Sequence, residues 1–124
     1  MEIGIPSVVA EVTEALQAYE RALQTDDLAA PDNAFWDSAS VVRIGIAENL
    51  YGAEAIARYR RTTPPRTRAR SLSNTVIVTF GHDCAAVSSE FSGPVATAGR
   101  QTQVWARLPA GWKVVAAHVS LIVR

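Results

Sequence analysis

Two runs of strand-forming residues close the chain and constrain its fold more than anything before them. Gly99-Arg100-Gln101-Thr102-Gln103-Val104-Trp105 leads through a turn at Pro109-Ala110-Gly111 into Trp112-Lys113-Val114-Val115-Ala116-Ala117-His118-Val119-Ser120-Leu121. This pattern reads as a hairpin. Gln101, Gln103, His118 and Ser120 interrupt its otherwise apolar character. A small domain that points polar groups from a sheet toward a buried face is building a pocket, so the candidate chemistry gathers here.

The preceding residues supply the rest of the architecture. Ser71–Phe80 and Cys84–Ser92 flank Gly81-His82-Asp83, a second hairpin signal. A first helix is expected after Pro6-Ser7, with Ser7 as its cap. Val8, Val12, Leu16, Tyr19 and Leu23 recur every three or four residues as one apolar stripe, leaving Glu11, Glu14 and Glu20 mostly to water. Asp26, Asp27, Pro31, Asp32 and Asn33 then break the pattern into a loop with a helical turn around Leu28. Phe35-Trp36 leads into a strand over 40–46, paired with a short one near Asn49-Leu50-Tyr51. Gly52 opens a second helix over 53–61, with Ile56 and Tyr59 inward, and Pro64-Pro65 stops it. The last two strands are expected over 100–108 and 112–123.

Helices gathered early and a four-strand meander gathered late imply an α+β fold. The expected form is a strongly curved mixed or antiparallel sheet wrapped around the N-terminal helices, a cone with an internal pocket. Its outer face, rich in Val and Leu, would suit a second copy of the chain. At 124 residues the chain is read as a single domain over 1–124.

Twelve basic and twelve acidic residues cancel, which argues against nucleic acid or an anionic membrane as partner. Their distribution is uneven: ten acids lie at or before Glu54, and six bases lie between Arg58 and Arg70. The basic run reads as a solvated helix face continuing into a solvated strand end, with an anion or subunit contact as the alternative. No aromatics interleave Arg66, Arg68 and Arg70, as RNA binding would want. A lone cysteine, Cys84, excludes an internal disulfide. With no leader-like start and no apolar run of about 20 residues, a soluble protein of the reducing cytoplasm is expected.

Arg43 is the sharpest candidate, a charge inside the apolar run Val41-Val42-Arg43-Ile44. A guanidinium there either clamps a ligand carboxylate or forms an ion pair with Asp37, Glu48 or Glu90. Tyr19 lies on the helical stripe, its ring in the core and its hydroxyl either a proton donor or a backbone partner. His118 and Ser120 are expected to share a strand face with Trp112, Val114 and Ala116. His118 then serves as a proton shuttle or ligand, or as a satisfied core histidine. Gln101 and Gln103 share a face with Trp105, where amides suit a urea or carboxyl group. Glu90, between Ser88 and Ser92, reads as surface or as a base. Trp36 and Tyr59 complete the substrate-binding candidates. Alternation alone leaves open which face is inward. His82, His118 and Cys84 make no metal constellation, and no nucleophile elbow, phosphate loop or dinucleotide fingerprint is present, so no cofactor is expected.

The element order and the closing Gly111-Trp112-Lys113-Val114-Val115…His118-Val119-Ser120 resemble the nuclear-transport-factor-2-like superfamily. A narrower resemblance, to the AtzH-like family, rests on five stretches. They are Ala18-Tyr19-Glu20-Arg21-Ala22-Leu23, Val42-Arg43-Ile44-Gly45, Asn49-Leu50-Tyr51-Gly52, Gly99-Arg100-Gln101-Thr102-Gln103-Val104-Trp105 and Ala117-His118-Val119-Ser120. This resemblance implies a cofactor-free decarboxylase converting 1,3-dicarboxyurea to allophanate in cyanuric-acid-type nitrogen catabolism. It also implies that Tyr19 and Arg43 are the catalytic residues, that the chain forms a homodimer through the sheet, and that an amidase is a possible partner. Two other functions compete: a non-catalytic accessory module for an amidase, and a lyase or isomerase for a larger apolar substrate. The last needs a carboxylate base from Asp37, Glu48 or Glu90.

Overall fold

Proline at a first helical position has its φ already set and lacks the N–H that would be unsatisfied there. Helix α1 accordingly spans Pro6–Leu23, with Ile5 at the N-cap and no side-chain cap. Ser7 therefore lies inside the first turn and does not cap it. Val8, Val12, Leu16 and Tyr19 are buried along one face, as their spacing requires. The computed structural model describes residues 1–25, 29–62, 70–93 and 98–122. A short helix α2, Ala29–Asp32, follows α1. Leu28 and Pro64-Pro65, expected as a helical turn and a helix stop, lie outside the described residues.

The strands are β1 (Val42–Ile44), β2 (Asn49–Tyr51), β3 (Ser71–Phe80), β4 (Cys84–Ser92), β5 (Ala98–Leu108) and β6 (Gly111–Leu121). Helix α3, Ala53–Thr62, stands between β2 and β3. The six strands form one curved sheet in the order β2-β1-β6-β5-β4-β3. β1 runs parallel to β6 and every other pair is antiparallel, so the sheet is mixed and the fold is α+β. β1 is shorter than the run of β-branched residues suggested. The chain turns at Gly45, whose N–H donates to the Glu48 carbonyl at 2.8 Å.

Pairing registers separate the two faces. The rows Ala85–Trp105–Val114 and Val87–Gln103–Ala117 are buried and belong to the inner face, as does Ser89–Gln101–Val119. Trp105, Tyr19 and Phe35 form the aromatic centre of the core. The Tyr19 ring meets Phe35 edgewise at 5.9 Å and Trp105 at 6.4 Å.

A bulge in β6 corrects one expectation. Trp105 faces Val114 but Val104 faces Ala116, leaving Val115 as the extra residue. An inserted residue resets the alternation of everything beyond it. Val114 therefore points inward with Ala117 and Val119, whereas Ala116, His118 and Ser120 take the outer face. His118 and Ser120 do not share a face with Val114.

Candidate functional site

On the inner face β1 presents Arg43, in register with Ala117 on one side and Leu50 on the other. Its Nη1 donates to Glu48 Oε1 at 2.8 Å, both side chains being about four-fifths buried (22% and 18% exposed). Gly45 makes this possible, because a Cβ there would come within 1.8 Å of that carboxylate oxygen. The second oxygen of Glu48 accepts the Ala47 N–H at 3.1 Å. From α3, the Tyr59 ring packs against the guanidinium, with Cζ 5.9 Å from its centroid. Among the described residues the hydrogen bonding of Arg43 runs through Nη1. The opposite edge of the fork, Nε with Nη2, has the geometry that grips a carboxylate through two bonds.

β5 adds two buried amides to the same face. Gln103 Oε1 accepts the Trp105 indole N–H at 2.9 Å, which fixes both side chains. Gln101 is 4% exposed, and its Nε2 has no hydrogen-bond partner among the described residues. A sealed donor without an acceptor costs about 1–3 kcal/mol, so such a group marks a place where an acceptor is to be supplied. Beside it in register, Ser89 Oγ and Thr75 Oγ1 lie 3.0 Å apart, brought together by a bulge in β3 at which Asn74 takes φ 50°.

The basic run contains a residue that sequence reasoning placed in solvent. Arg70 forms a two-bond clamp on Glu20, Nε to Oε1 at 3.0 Å and Nη2 to Oε2 at 2.7 Å. Both side chains are only 17% exposed. Its guanidinium lies 5.0 Å from the Phe91 ring centroid. Burial opposes the charge, but the hydrogen bonds and charge of Glu20, together with the Tyr19 oxygen, outweigh it and hold the Arg70 pKa above its ordinary value. Arg60 is likewise largely buried, paired to Asp32 at 2.6 Å. The bases and acids segregated along the chain thus meet across the fold. The signal was available in the alternation of β3, since Arg70 shares its parity with the half-buried Leu72.

Other candidates lie elsewhere. Trp36 lines a groove of about 620 Å³ with Phe35, Asp37, Ile56, Ala57 and Lys113, none of them an inner-face sheet residue. Lys113 Nζ donates to the Asn33 carbonyl there. A second cavity, about 480 Å³, lies between α1 and β3 and is lined by Leu16, Glu20, Arg70, Leu72, Thr75 and Ile77. Glu90 is exposed on the outer face, opposite Arg100, and accepts a hydrogen bond from Asn74 at 2.6 Å. His118 is exposed opposite Thr102, and Ser120 is opposite Arg100. Arg43, Gln101 and Gln103 thus share the inner sheet face, with Tyr59 against Arg43 and Tyr19 against Trp105, while Glu90, His118 and Ser120 lie outside, where the β6 bulge and strand alternation put them. Among the described residues no three His, Cys, Asp or Glu side chains are grouped to hold a metal ion.

Residues 1–124 match the AtzH-like family model. A cystatin-like fold protein from Burkholderia xenovorans LB400 is 48% identical, with a TM-score of 0.93 over 100% of this chain and 98% of its own. A DUF3225-family protein of unknown function from Pectobacterium atrosepticum is 45% identical, with a TM-score of 0.93 over 98% of this chain and 95% of that one. A nuclear transport factor 2-like superfamily protein from Salmonella enterica is 26% identical over 95% and 93% of the two chains, with a TM-score of 0.78. A search of the curated proteins found no match. With an inner sheet face carrying Arg43, Gln101 and Gln103, and a match along its whole length, the chain belongs to the AtzH-like family, on a nuclear-transport-factor-2-like fold.

Proposed function

We propose that the protein is a cofactor-free decarboxylase of a small carboxylated urea, 1,3-dicarboxyurea being the best-fitting substrate. The observation that carries this reading is the state of Arg43: inner-facing, largely buried, neutralised end-on by Glu48 and backed by Tyr59. A guanidinium on the departing carboxylate would stabilise its charge and oppose loss as neutral carbon dioxide. Arg43 is therefore assigned to the carboxylate that stays. The bond between nitrogen and the other carboxyl carbon breaks, its electron pair remains on nitrogen, and carbon dioxide leaves. A proton from the Tyr19 hydroxyl goes to that nitrogen, giving allophanate, and solvent reprotonates the phenolate. Gln101 Nε2 supplies the donor for the urea carbonyl.

Of the bases that isomerase chemistry would need, Glu48 is bound to Arg43 and Glu90 is on the outer face, which leaves Asp37, at the wall of the Trp36 groove beside Phe35 and Ile56, as the one such a reading could use. An accessory role beside an amidase keeps one supporting observation, the Trp36 groove, which offers a surface apart from Arg43. On either reading a second copy covers the outer sheet face, where Val76 is 56% exposed. Light scattering reporting a monomer would remove the dimer. The exposed single thiol of Cys84 fits a reducing cytoplasm.

The test is carbon dioxide release from freshly generated 1,3-dicarboxyurea against its spontaneous decay. Arg43→Ala and Tyr19→Phe should each lower the enzymatic rate by about 10²-fold or more. Wild-type protein that is folded but gives no acceleration over buffer would hand the case to the accessory role.

A further inference from the structure

We propose that the Arg70–Glu20 pair is a positioning device for Tyr19, fixing where its hydroxyl stands, an assignment that rests on the decarboxylase reading above. Glu20 follows Tyr19 directly in α1, and its carboxylate is gripped through both oxygens by Arg70 at the entry to β3. The planar fork on a carboxylate restrains rotation as well as distance, unlike a single contact. α1 is thereby pinned to the sheet edge one residue from the proton donor.

The far side of the clamp is equally constrained. Phe91 lies beneath the Arg70 guanidinium and opposite Gly99 on β5. A Cβ at Gly99 would come within 2.0 Å of the Phe91 ring, so the ring rests in the space that glycine leaves. Glycine, phenylalanine, arginine and glutamate thus form one stack that ends at the helix turn carrying Tyr19. The Tyr19 ring itself meets Phe35 and Trp105 edgewise, so its contacts are with the core and not with the clamp.

Arg70 differs from Arg43 in a way that decides its role. Its Nε and Nη2, the edge that would grip a substrate carboxylate, are already committed to Glu20. Arg43 spends only Nη1 on Glu48 among the described residues. One arginine is arranged to receive an anion, the other to hold a helix.

The test uses Arg70→Gln, Arg70→Lys and the double variant Glu20→Gln/Arg70→Gln, which leaves no unpaired buried charge if the single variant fails to fold. Two quantities are read. One is the ¹³C resonance of each tyrosine Cζ, with Tyr19 assigned by its loss in Tyr19→Phe. The other is kcat against KM for carbon dioxide release from 1,3-dicarboxyurea. In Arg70→Gln, or in the double variant, the Tyr19 resonance should move while those of Tyr51 and Tyr59 stay. Meanwhile kcat should fall by about 10²-fold with KM within about threefold. Arg70→Lys should recover part of kcat. An unmoved Tyr19 resonance, equal movement of all three, or a raised KM with kcat intact would each overturn the proposal. If the wild-type protein releases no carbon dioxide, the decarboxylase reading fails, and the resonances alone still decide whether the clamp positions Tyr19.

Discussion

A buried amide nitrogen without an acceptor weakens the fold that contains it, and Gln101 carries one on the inner face, with no acceptor among the described residues. Replacing it with leucine, of similar size, removes the orphan while keeping the volume filled. Gln101→Leu should therefore leave urea-unfolding stability unchanged or raise it by up to about 1 kcal/mol. The same substitution should raise KM for the carboxylated urea, because the donor to the urea carbonyl is gone. Both are read on one preparation, by a denaturation curve and by carbon dioxide release. A loss of stability would mean that the amide belongs to the core and not to the ligand. Arg43 shows the complementary case, a polar group whose partner is Glu48 and whose pairing depends on Gly45 having no side chain.

Elements were legible where one period governs a segment. The stripe from Val8 to Leu23 foretold α1, and the hairpin signals placed β3 and β4 over the residues they occupy. Alternation failed in β6, because the extra residue at Val115 is invisible in a run of Val and Ala that suits either face. The inner placement of Arg43 and Gln101 needed the register, which no local pattern encodes. Two predictions follow at this scale. His118→Ala should leave kcat/KM within about twofold, as expected of a side chain on the sheet face opposite Arg43 and Gln101, whereas an inward histidine donating protons would lose far more. Gly99→Ala should destabilise by about 1–3 kcal/mol, because the Phe91 ring must swing off the Arg70 stack. A thermal midpoint equal to wild type would show that the ring relocates freely.

The whole molecule is held by connections that cross its sequence from end to end. β1 takes β6 as its parallel neighbour, so the early strand pair joins the sheet through the last strand of the chain. Asp32 meets Arg60 and Glu20 meets Arg70, spanning 28 and 50 residues. Each carboxylate is largely withdrawn from water, so removing one partner leaves a charge that the surroundings do not solvate. The helical first half therefore has no complete core or neutral interior without the meander, and neither half should persist alone. Urea unfolding followed by far-ultraviolet circular dichroism and by tryptophan fluorescence should give coincident single transitions. Those probes sample different parts of the fold, since helices dominate the first while Trp36, Trp105 and Trp112 report on the sheet and its groove. Separated midpoints, with dichroism persisting after fluorescence has changed, would mean that α1 folds independently of the sheet it lies on. The Arg70 clamp would then hold together two units instead of tuning one.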